Sequence, residues 1–234
     1  MLRLENASIA MDDRFLNASF DLQPGARVAV LGPSGAGKST LLDAIAGFRP
    51  LASGAVHWNK SDMSSEPPSA RPVSILFQDG NLFPHLDLRR NLGLALRPDG
   101  GRLSSAQTDR LIGALGQVGL GGMENRKPGT LSGGQQSRAA LARVLLQARP
   151  ILLLDEPFAA LGPAMKTEML ELVKDVAGRL GALTLMVTHD PKDARAFAEQ
   201  VVLVADGNAL PPVETQSILD NPPKAMRAYL GTED

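Results

Sequence analysis

The stretch Gly32-Pro33-Ser34-Gly35-Ala36-Gly37-Lys38-Ser39 has the spacing G-x-x-x-x-G-K-S and decides the fold. The apolar run before it, residues 27–31, has the composition of a buried strand, and residues 40–46 predict a helix that ends at Gly47. A strand, a glycine-rich loop and a helix in this order form a phosphate site, because bare backbone N–H groups and a helix N-terminus both attract anions. The stretch therefore predicts binding of a nucleoside triphosphate.

The polar residues of this loop have expected partners. Lys38 is expected to reach the β- and γ-phosphates, and the Ser39 hydroxyl to bind Mg²⁺. All eight residues of the loop, together with Thr40, are candidate nucleotide-binding residues.

Composition limits the class of protein. The 234 residues suffice for one domain or for a domain with an inserted lobe, and 44% hydrophobic with 21% charged residues is ordinary for a globular chain. A net charge of −1 gives no indication of a nucleic-acid partner, and the absence of cysteine excludes disulfides and thiolate metal sites. The sequence shows no signal-peptide pattern and no apolar run near the about 20 residues that cross a bilayer. We therefore expect that any membrane part belongs to another chain.

The remaining sequence alternates strands and helices. Residues 1–30 predict antiparallel strands with a turn at Pro24-Gly25. After Gln135, helices alternate with short, fully apolar strands, which predicts an α/β fold with a mostly parallel sheet covered on both faces. The predicted strands of this part cover residues 151–154, 183–187 and 201–205, and the predicted helices run to residue 149 and cover residues 163–180 and 191–199.

The middle of the chain has a less regular pattern. It predicts a strand at residues 73–77, a proline-punctuated segment, a glycine-rich loop at 98–101 and a helix at about 105–118. Asp206-Gly207 predicts a two-residue hairpin turn, and two proline pairs interrupt a short helical tail after residue 210.

Two acids and a histidine follow predicted strands. Asp155 is expected to hold Mg²⁺ through its water shell, and Glu156 to orient or deprotonate the attacking water. The alternative is that the two acids cap the next helix, because Pro157 follows. His189 leaves a parallel strand at the same edge and is expected to contact the γ-phosphate, although a lone histidine is also compatible with a structural role.

A second glycine-rich stretch, Leu131-Ser132-Gly133-Gly134-Gln135, begins a predicted helix. Ser132 and Gln135 have the spacing of a capping box, so an ordinary helix cap is one interpretation. A glycine pair is a poor choice for the first turn of a helix unless another group must approach the backbone closely, and a phosphate is such a group. One chain cannot easily close both loops around one nucleotide, so this stretch is expected to serve the nucleotide of a partner.

Together these residues resemble the ATP-binding subunits of ABC transporters over nearly the whole chain. The matching motifs are Walker A at 32–39, the Q-loop glutamine Gln78, the signature at 131–135, Walker B at 151–155 with Glu156, and the switch histidine His189. The resemblance implies ATP and Mg²⁺ as cofactors. It assigns catalysis to Lys38, Gln78, Glu156 and His189, metal binding to Ser39, Gln78 and Asp155, and nucleotide contacts to Gln78, His189 and the loop residues Ser132, Gly133, Gly134 and Gln135.

The same resemblance implies an architecture. It predicts a P-loop NTPase, residues 1–234, as a single domain with two parts. One part is a core of about 1–80 and 150–234 that includes an N-terminal antiparallel β subdomain, and the other is a helical subdomain of about 81–149 that carries the signature. Two copies are expected to stack head to tail, so that Ser132 and Gly134 of one copy face the γ-phosphate held by Lys38 of the other. Closure and reopening of this dimer would drive the membrane subunits.

Within the family the chain is similar to importer subunits, and to thiamine-import ATP-binding proteins in particular, on residues 32–48, 71–78 and 81–86. This similarity implies transmembrane permease subunits as partners, a periplasmic solute-binding protein acting through them, and a peripheral position on the cytoplasmic face of a bacterial inner membrane. Leu82, Phe83 and Leu86 are expected to meet the permease, unless they are core residues.

Several alternatives stay open at this point. The solute could be of the iron, polyamine or sulfate type, and the chain could be a non-transport ABC ATPase. A small-molecule kinase with the same phosphate loop would leave residues 131–135 without a role. Asn59-Lys60-Ser61-Asp62 matches a guanine-reading pattern, N-K-x-D, but lies too close behind Lys38 for that role, so we predict a hairpin turn there.

Two positions depart from the family pattern. The D-loop, usually S-A-L-D, has the sequence Ala159-Ala160-Leu161-Gly162, so the communication between two ATP sites is expected to be weaker or to use the backbone alone. Near Met11, where the family usually stacks a tyrosine on adenine, the chain has no tyrosine, and Met11 or Phe15 is expected to substitute.

Overall fold

The computed structural model of the protein describes residues 1–77 and 82–230, and within these ranges its strands form one mixed sheet. The strands are β1 (Leu2–Met11), β2 (Arg14–Leu22), β3 (Arg27–Leu31), β4 (Leu51–Trp58), β5 (Ser61–Asp62), β6 (Val73–Leu76), β7 (Ile151–Asp155), β8 (Leu183–Val187), β9 (Gln200–Ala205), β10 (Asn208–Ala209) and β11 (Val213–Glu214). The helices are α1 (Lys38–Ala46), α2 (Leu88–Leu96), α3 (Ser105–Gln117), α4 (Gly133–Gln147), α5 (Pro163–Leu180), α6 (Pro191–Phe197), α7 (Thr215–Asp220) and α8 (Lys224–Leu230).

Five neighbouring strands form the parallel half of the sheet, in the order β9-β3-β8-β7-β6. Their side chains are almost all buried, and they contribute to two apolar clusters, one on each face. The predicted parallel sheet is therefore confirmed. Because β3, β8 and β7 are adjacent and in register, the loops that follow them emerge side by side at one edge of the sheet.

The other half of the sheet is mainly antiparallel. β1 pairs with β2 and with β4, and β10 joins this half to β9, so the strands predicted in residues 1–30 are confirmed. Asn59 and Lys60, with φ of 48° and 74°, form the turn between β4 and β5. The N-K-x-D match is thus a hairpin turn, as predicted.

Helices α2, α3 and α4 surround a third apolar cluster of their own. The sequence predicts α3 and α4 but not α2, which lies in the segment described only as proline-punctuated. Asp87 caps α2 by accepting a hydrogen bond from the Arg90 backbone N–H, while Leu88 and Leu92 are fully buried. Nine residues with a central glycine give too short a periodic signal for a prediction. The subdomain boundaries near residues 81 and 149 stay a prediction.

Two helix ends differ from the prediction by two residues each. Helix α4 ends at Gln147 because Ala148 adopts a left-handed φ of 49°. Helix α6 ends at Phe197, since Ala198 returns to extended backbone. Among the residues described here, no helix has both the length and the hydropathy of a membrane span.

Buried Arg71 fixes the end of helix α1, the helix that follows the phosphate loop. Its guanidinium donates to the carbonyls of Ala44 and Ile45 at 2.7 and 2.9 Å, and further to those of Glu66 and Ser64. Burial lowers the pKa of Arg71. The cation nevertheless suits this place, because the last carbonyls of a helix carry partial negative charge.

Replacing Arg71 with methionine should lower the free energy of unfolding by about 2–4 kcal/mol, since several buried carbonyls lose their donor. Urea denaturation of the wild type and the variant measures this loss. Arg3→Met is the matched control: it removes an exposed ion pair with Asp21 and should cost less than about 1 kcal/mol. Equal losses in the two variants would contradict the role given to Arg71.

Candidate functional site

The phosphate loop, residues 32–39, has a backbone that favours glycine, because its three glycines all have positive φ. Gly32 has a φ of 151°, and a Cβ there would lie 2.1 Å from the Val204 carbonyl oxygen. Gly37 has a φ of 108° and immediately precedes α1. The loop therefore presents backbone rather than side chains at the N-terminus of a helix, which suits an anion.

Lys38 lies under this loop and is 8% exposed. Its ammonium donates to the carbonyls of Gly32 and Pro33 at 2.8 and 2.9 Å. Burial lowers the pKa of Lys38, and the charges of Glu156 and Asp155 oppose that shift. The positive charge of Lys38 thus lies directly beside the glycine loop, which is the predicted phosphate site.

Ser39, in the first turn of α1, meets Asp155 at the end of β7. The Ser39 hydroxyl donates to Asp155 Oδ1 at 3.0 Å. Burial raises the pKa of Asp155 and the nearby Glu156 adds to this, while the bond from Ser39 and the charge of Lys38 oppose it. A hydroxyl and one carboxylate next to a phosphate site are the oxygen donors that Mg²⁺ takes in nucleotide enzymes, so the pair fits this ion.

Glu156 and His189 approach each other across the neighbouring strand ends. Glu156 Oε2 lies 3.3 Å from His189 Nδ1, and the Glu156 backbone N–H donates to the Val187 carbonyl at 3.2 Å. Glu156 has a φ of 44°, a conformation that costs energy for a residue with a Cβ and that concentrates at functional sites. The strand ends thus bring the predicted acid and histidine together.

An open groove runs along the phosphate loop and ends at Glu156. The residues that line it are Met11, Asp12, Asp13, Arg14, Ser34, Gly35, Gly37, Lys38, Ser39, Thr40 and Glu156. Arg14, which no motif singles out, donates to the Gly35 carbonyl at 2.6 Å. Met11 reaches Gly37, whereas Phe15 is 53% exposed and is not among the lining residues. Of the two candidates for the base contact, the geometry favours Met11.

The signature residues lie elsewhere. Ser132 and Gln135 exchange both hydrogen bonds of the predicted capping box, which is confirmed. Gly134 lies under Met165, whose sulfur would be 2.3 Å from a Cβ at this position. Among the described residues, the lining of the phosphate-loop groove includes none of residues 132–135. Within one copy, then, the two loops do not share a groove.

The segment after β6 is described in part. The predicted Gln78, together with residues 79–81, lies outside the described residues. Leu82 packs against the cluster of α2, α3 and α4, and Phe83 is 46% exposed. Gly162, at the departure from the D-loop pattern, is the N-cap of α5 and supplies no side-chain bond.

Comparison with known proteins identifies the family. The family model described as "ABC transporter" matches residues 15–159, more than half of the chain. The chain belongs to the ABC transporter family. The protein named thiamine import ATP-binding protein ThiQ in a Ruegeria species is 56% identical over 99% of this chain and 100% of its own length. The proteins of that name in Cereibacter sphaeroides and Yersinia pseudotuberculosis are 57% and 47% identical over 99% and 94% of this chain and 100% and 93% of their own lengths.

Solved structures agree with this assignment. A bacterial ABC transporter cassette solved as a dimer superposes with a TM-score of 0.78 at 29% identity, over 92% of this chain and 99% of its own. A second cassette, in an ADP conformation, superposes with a TM-score of 0.88 at 22% identity, over 99% and 98% of the two chains, and shows the shared fold. The predicted α/β P-loop fold and the predicted ATPase class are confirmed.

Asp155→Asn should raise the melting temperature of the nucleotide-free protein at pH 7.5. The pKa of Asp155 is raised in the folded state, so the unfolded chain loses this proton at lower pH than the folded protein does. The folded protein therefore loses stability as the pH rises from the unfolded pKa through the folded pKa, and at pH 7.5 the ionised carboxylate destabilises the fold. Mg²⁺ should raise the melting temperature of the wild-type protein further when it is added together with ATP, and the variant should lack this additional increase.

Thermal melts at pH 4 and 7.5, with and without Mg²⁺-ATP, measure both effects. Asp43→Asn is the control: burial also raises the pKa of Asp43, but this carboxyl is not a candidate ligand. A nucleotide-free Asp155→Asn protein that melts below the wild type at pH 7.5 would contradict this account of the charge.

Met11→Tyr should lower the dissociation constant for ATP by about 5- to 150-fold, because stacking on a base is worth about 1–3 kcal/mol. Fluorescence titrations with ATP and GTP in the absence of turnover measure it. Phe15→Tyr adds the same ring outside the groove and should change neither constant. An unchanged ATP constant in Met11→Tyr would show that the base does not bind over Met11.

Proposed function

We propose that this chain is the ATP-hydrolysing subunit of an importer that takes up thiamine through separate membrane subunits. The observation that carries the proposal is the meeting of three elements at one sheet edge: Lys38 under the glycine loop, the Ser39–Asp155 pair, and Glu156 beside His189. The name that the full-length relatives share supports the solute.

In the proposed site, residues 32–40 hold the phosphates of ATP, and Lys38 leaves its two carbonyl partners for the β- and γ-phosphates. Ser39 and Asp155 would hold Mg²⁺, with Gln78 as a further ligand, and the bound ion would offset charge on the leaving phosphate. Metal binding would also stabilise the ionised form of Asp155, whose pKa burial raises.

Glu156 is the proposed base. It would accept a proton from water, and His189, whose Nδ1 lies 3.3 Å from the carboxylate, would orient that carboxylate and contact the γ-phosphate. The strained φ of Glu156 holds its side chain toward the groove rather than along the next helix. The alternative interpretation, a helix cap, has little support, because α5 begins only at Pro163.

A second copy would complete the site. The phosphate-loop groove is open and, among the described residues, has no signature residue in its lining, while the N-terminal amides of α4 face another surface. We propose that residues 132–135 of a second copy close the groove from above. The dimeric state of a solved relative supports the pairing of two copies.

The remaining partners follow from an import function. The proposed permease subunits would bind near the half-exposed Phe83, and a periplasmic solute-binding protein would deliver thiamine to them. The chain would sit peripherally on the cytoplasmic face of the inner membrane. The segment from about 81 to 149, which contains α2, α3 and α4, would move as the helical subdomain when ATP closes the dimer.

Glu156→Gln should keep ATP binding and slow turnover by about 10²- to 10⁴-fold, the range for loss of a general base. Phosphate release measures turnover, and equilibrium titration measures binding. Glu171→Gln, which removes an exposed ion pair with Lys174 on α5, is the control and should hydrolyse ATP at the normal rate. Normal turnover in Glu156→Gln would assign the base elsewhere.

Reconstitution tests the transport function. The chain, co-expressed with the proposed permease and solute-binding protein, should drive ATP-dependent accumulation of radiolabelled thiamine in proteoliposomes, and the Glu156→Gln complex should not. Accumulation of iron, a polyamine or sulfate instead would replace thiamine as the solute. An active ATPase that never co-purifies with a permease would indicate a non-transport role.

A further inference from the structure

The loop that carries His189, residues 188–190, is held by its own hydrogen bonds. The Asp190 backbone N–H donates to Thr188 Oγ1 at 3.1 Å, and Thr188 Oγ1 donates to Asp193 Oδ2 at 3.1 Å. Thr188 is 5% exposed. The position of Asp193 on α6 therefore controls the residue immediately before His189.

A lysine from a different helix reaches the same carboxylate. Lys166 Nζ on α5 lies 3.1 Å from Asp193 Oδ2 and 3.8 Å from Asp190 Oδ2. The side chains of Lys166 and Asp193 are 18% and 14% exposed, so this pair is far less hydrated than the surface ion pairs of the chain. Loss of either partner would leave a poorly hydrated charge unpaired, which disturbs structure more than loss of a surface pair does.

Lys166 also belongs to the first turn of α5. Its backbone N–H donates to the Gly162 carbonyl at 2.9 Å. Gly162, as the N-cap, supplies no side chain to fix this turn. Lys166 thus connects the turn at residues 159–162 with the loop at 188–190. A narrow cavity between them is lined by Glu156, Ala159, Lys166, Thr188, His189 and Asp193, among others.

We propose that Lys166 and Asp193 are positioning residues for hydrolysis: their ion pair sets the loop 188–190 so that His189 stays within reach of Glu156. This inference rests on the roles proposed above for Glu156 and His189. The connection explains how the exposed His189 and the partly buried Glu156, on separate strand ends, hold one geometry. Neither positioning residue lines the nucleotide groove, so they act through their neighbours and leave ATP binding to the phosphate loop.

The variants Lys166→Met and Asp193→Asn test the proposal. Each should lower kcat by about 10- to 100-fold, the effect of a small displacement of catalytic groups, with KM and the ATP dissociation constant changed by less than about 2-fold. The double variant should be no slower than the slower single variant, because both changes break one interaction. Lys166→Arg keeps the charge and should recover most of kcat.

Lys174→Met is the matched control, since Lys174 forms an exposed pair with Glu171 on the same helix and should keep a normal kcat. Melting temperatures and ATP binding identify folded variants. A folded Lys166→Met or Asp193→Asn protein with normal kcat would overturn the proposal, as would additive losses in the double variant or losses confined to KM. The Glu156→Gln experiment distinguishes failure of this proposal from failure of the proposed function. Slow turnover in Glu156→Gln with normal turnover in Lys166→Met would refute the positioning role alone, whereas normal turnover in Glu156→Gln would refute the assigned base.

Discussion

The parallel alignment of β3, β8 and β7 is the constraint on which the site depends. Because the three strands run side by side in register, their carboxyl ends lie at one edge, and the groups proposed to act on the phosphates and the metal follow these strands. The phosphate loop follows β3, Asp155 and Glu156 end β7, and His189 follows β8. Apolar side chains on both faces hold this alignment, so that packing in the core determines the geometry of the exposed site.

The same edge of the sheet brings together ionisable side chains whose charged forms the fold by itself does not stabilise. Burial lowers the pKa of Lys38 and raises that of Asp155, so both groups are held in an environment that disfavours their charged forms. A phosphate anion and a divalent cation would reverse each of these shifts. Ligand binding and stability are therefore coupled in the proposed site.

Most of the correct predictions came from short motifs in the sequence. The strands around the phosphate loop, the helix at Pro163–Leu180 and the hairpin turns were predictable because each has a short, local pattern of apolar residues, glycine or proline. Helix α2 was not, since its nine residues pack mainly through two leucines against α4, and this contact is invisible in the local pattern. Arg71 belonged to a matched segment, but its role at the end of α1 appears only once residues 44 and 71 are adjacent.

The sequence alone therefore predicted which groups act on a nucleotide, because each motif consists of residues that are close together in the sequence. These motifs are the phosphate loop G-x-x-x-x-G-K-S, the signature and the acidic residues at a strand end. Contacts between distant residues had to come from folding. Four such contacts join segments that lie well apart in the sequence: Arg14 with Gly35, Ser39 with Asp155, Glu156 with His189, and Lys166 with Asp193. Such contacts depend on how strands and helices pack, and packing is set by the three-dimensional complementarity of buried side chains rather than by local spacing.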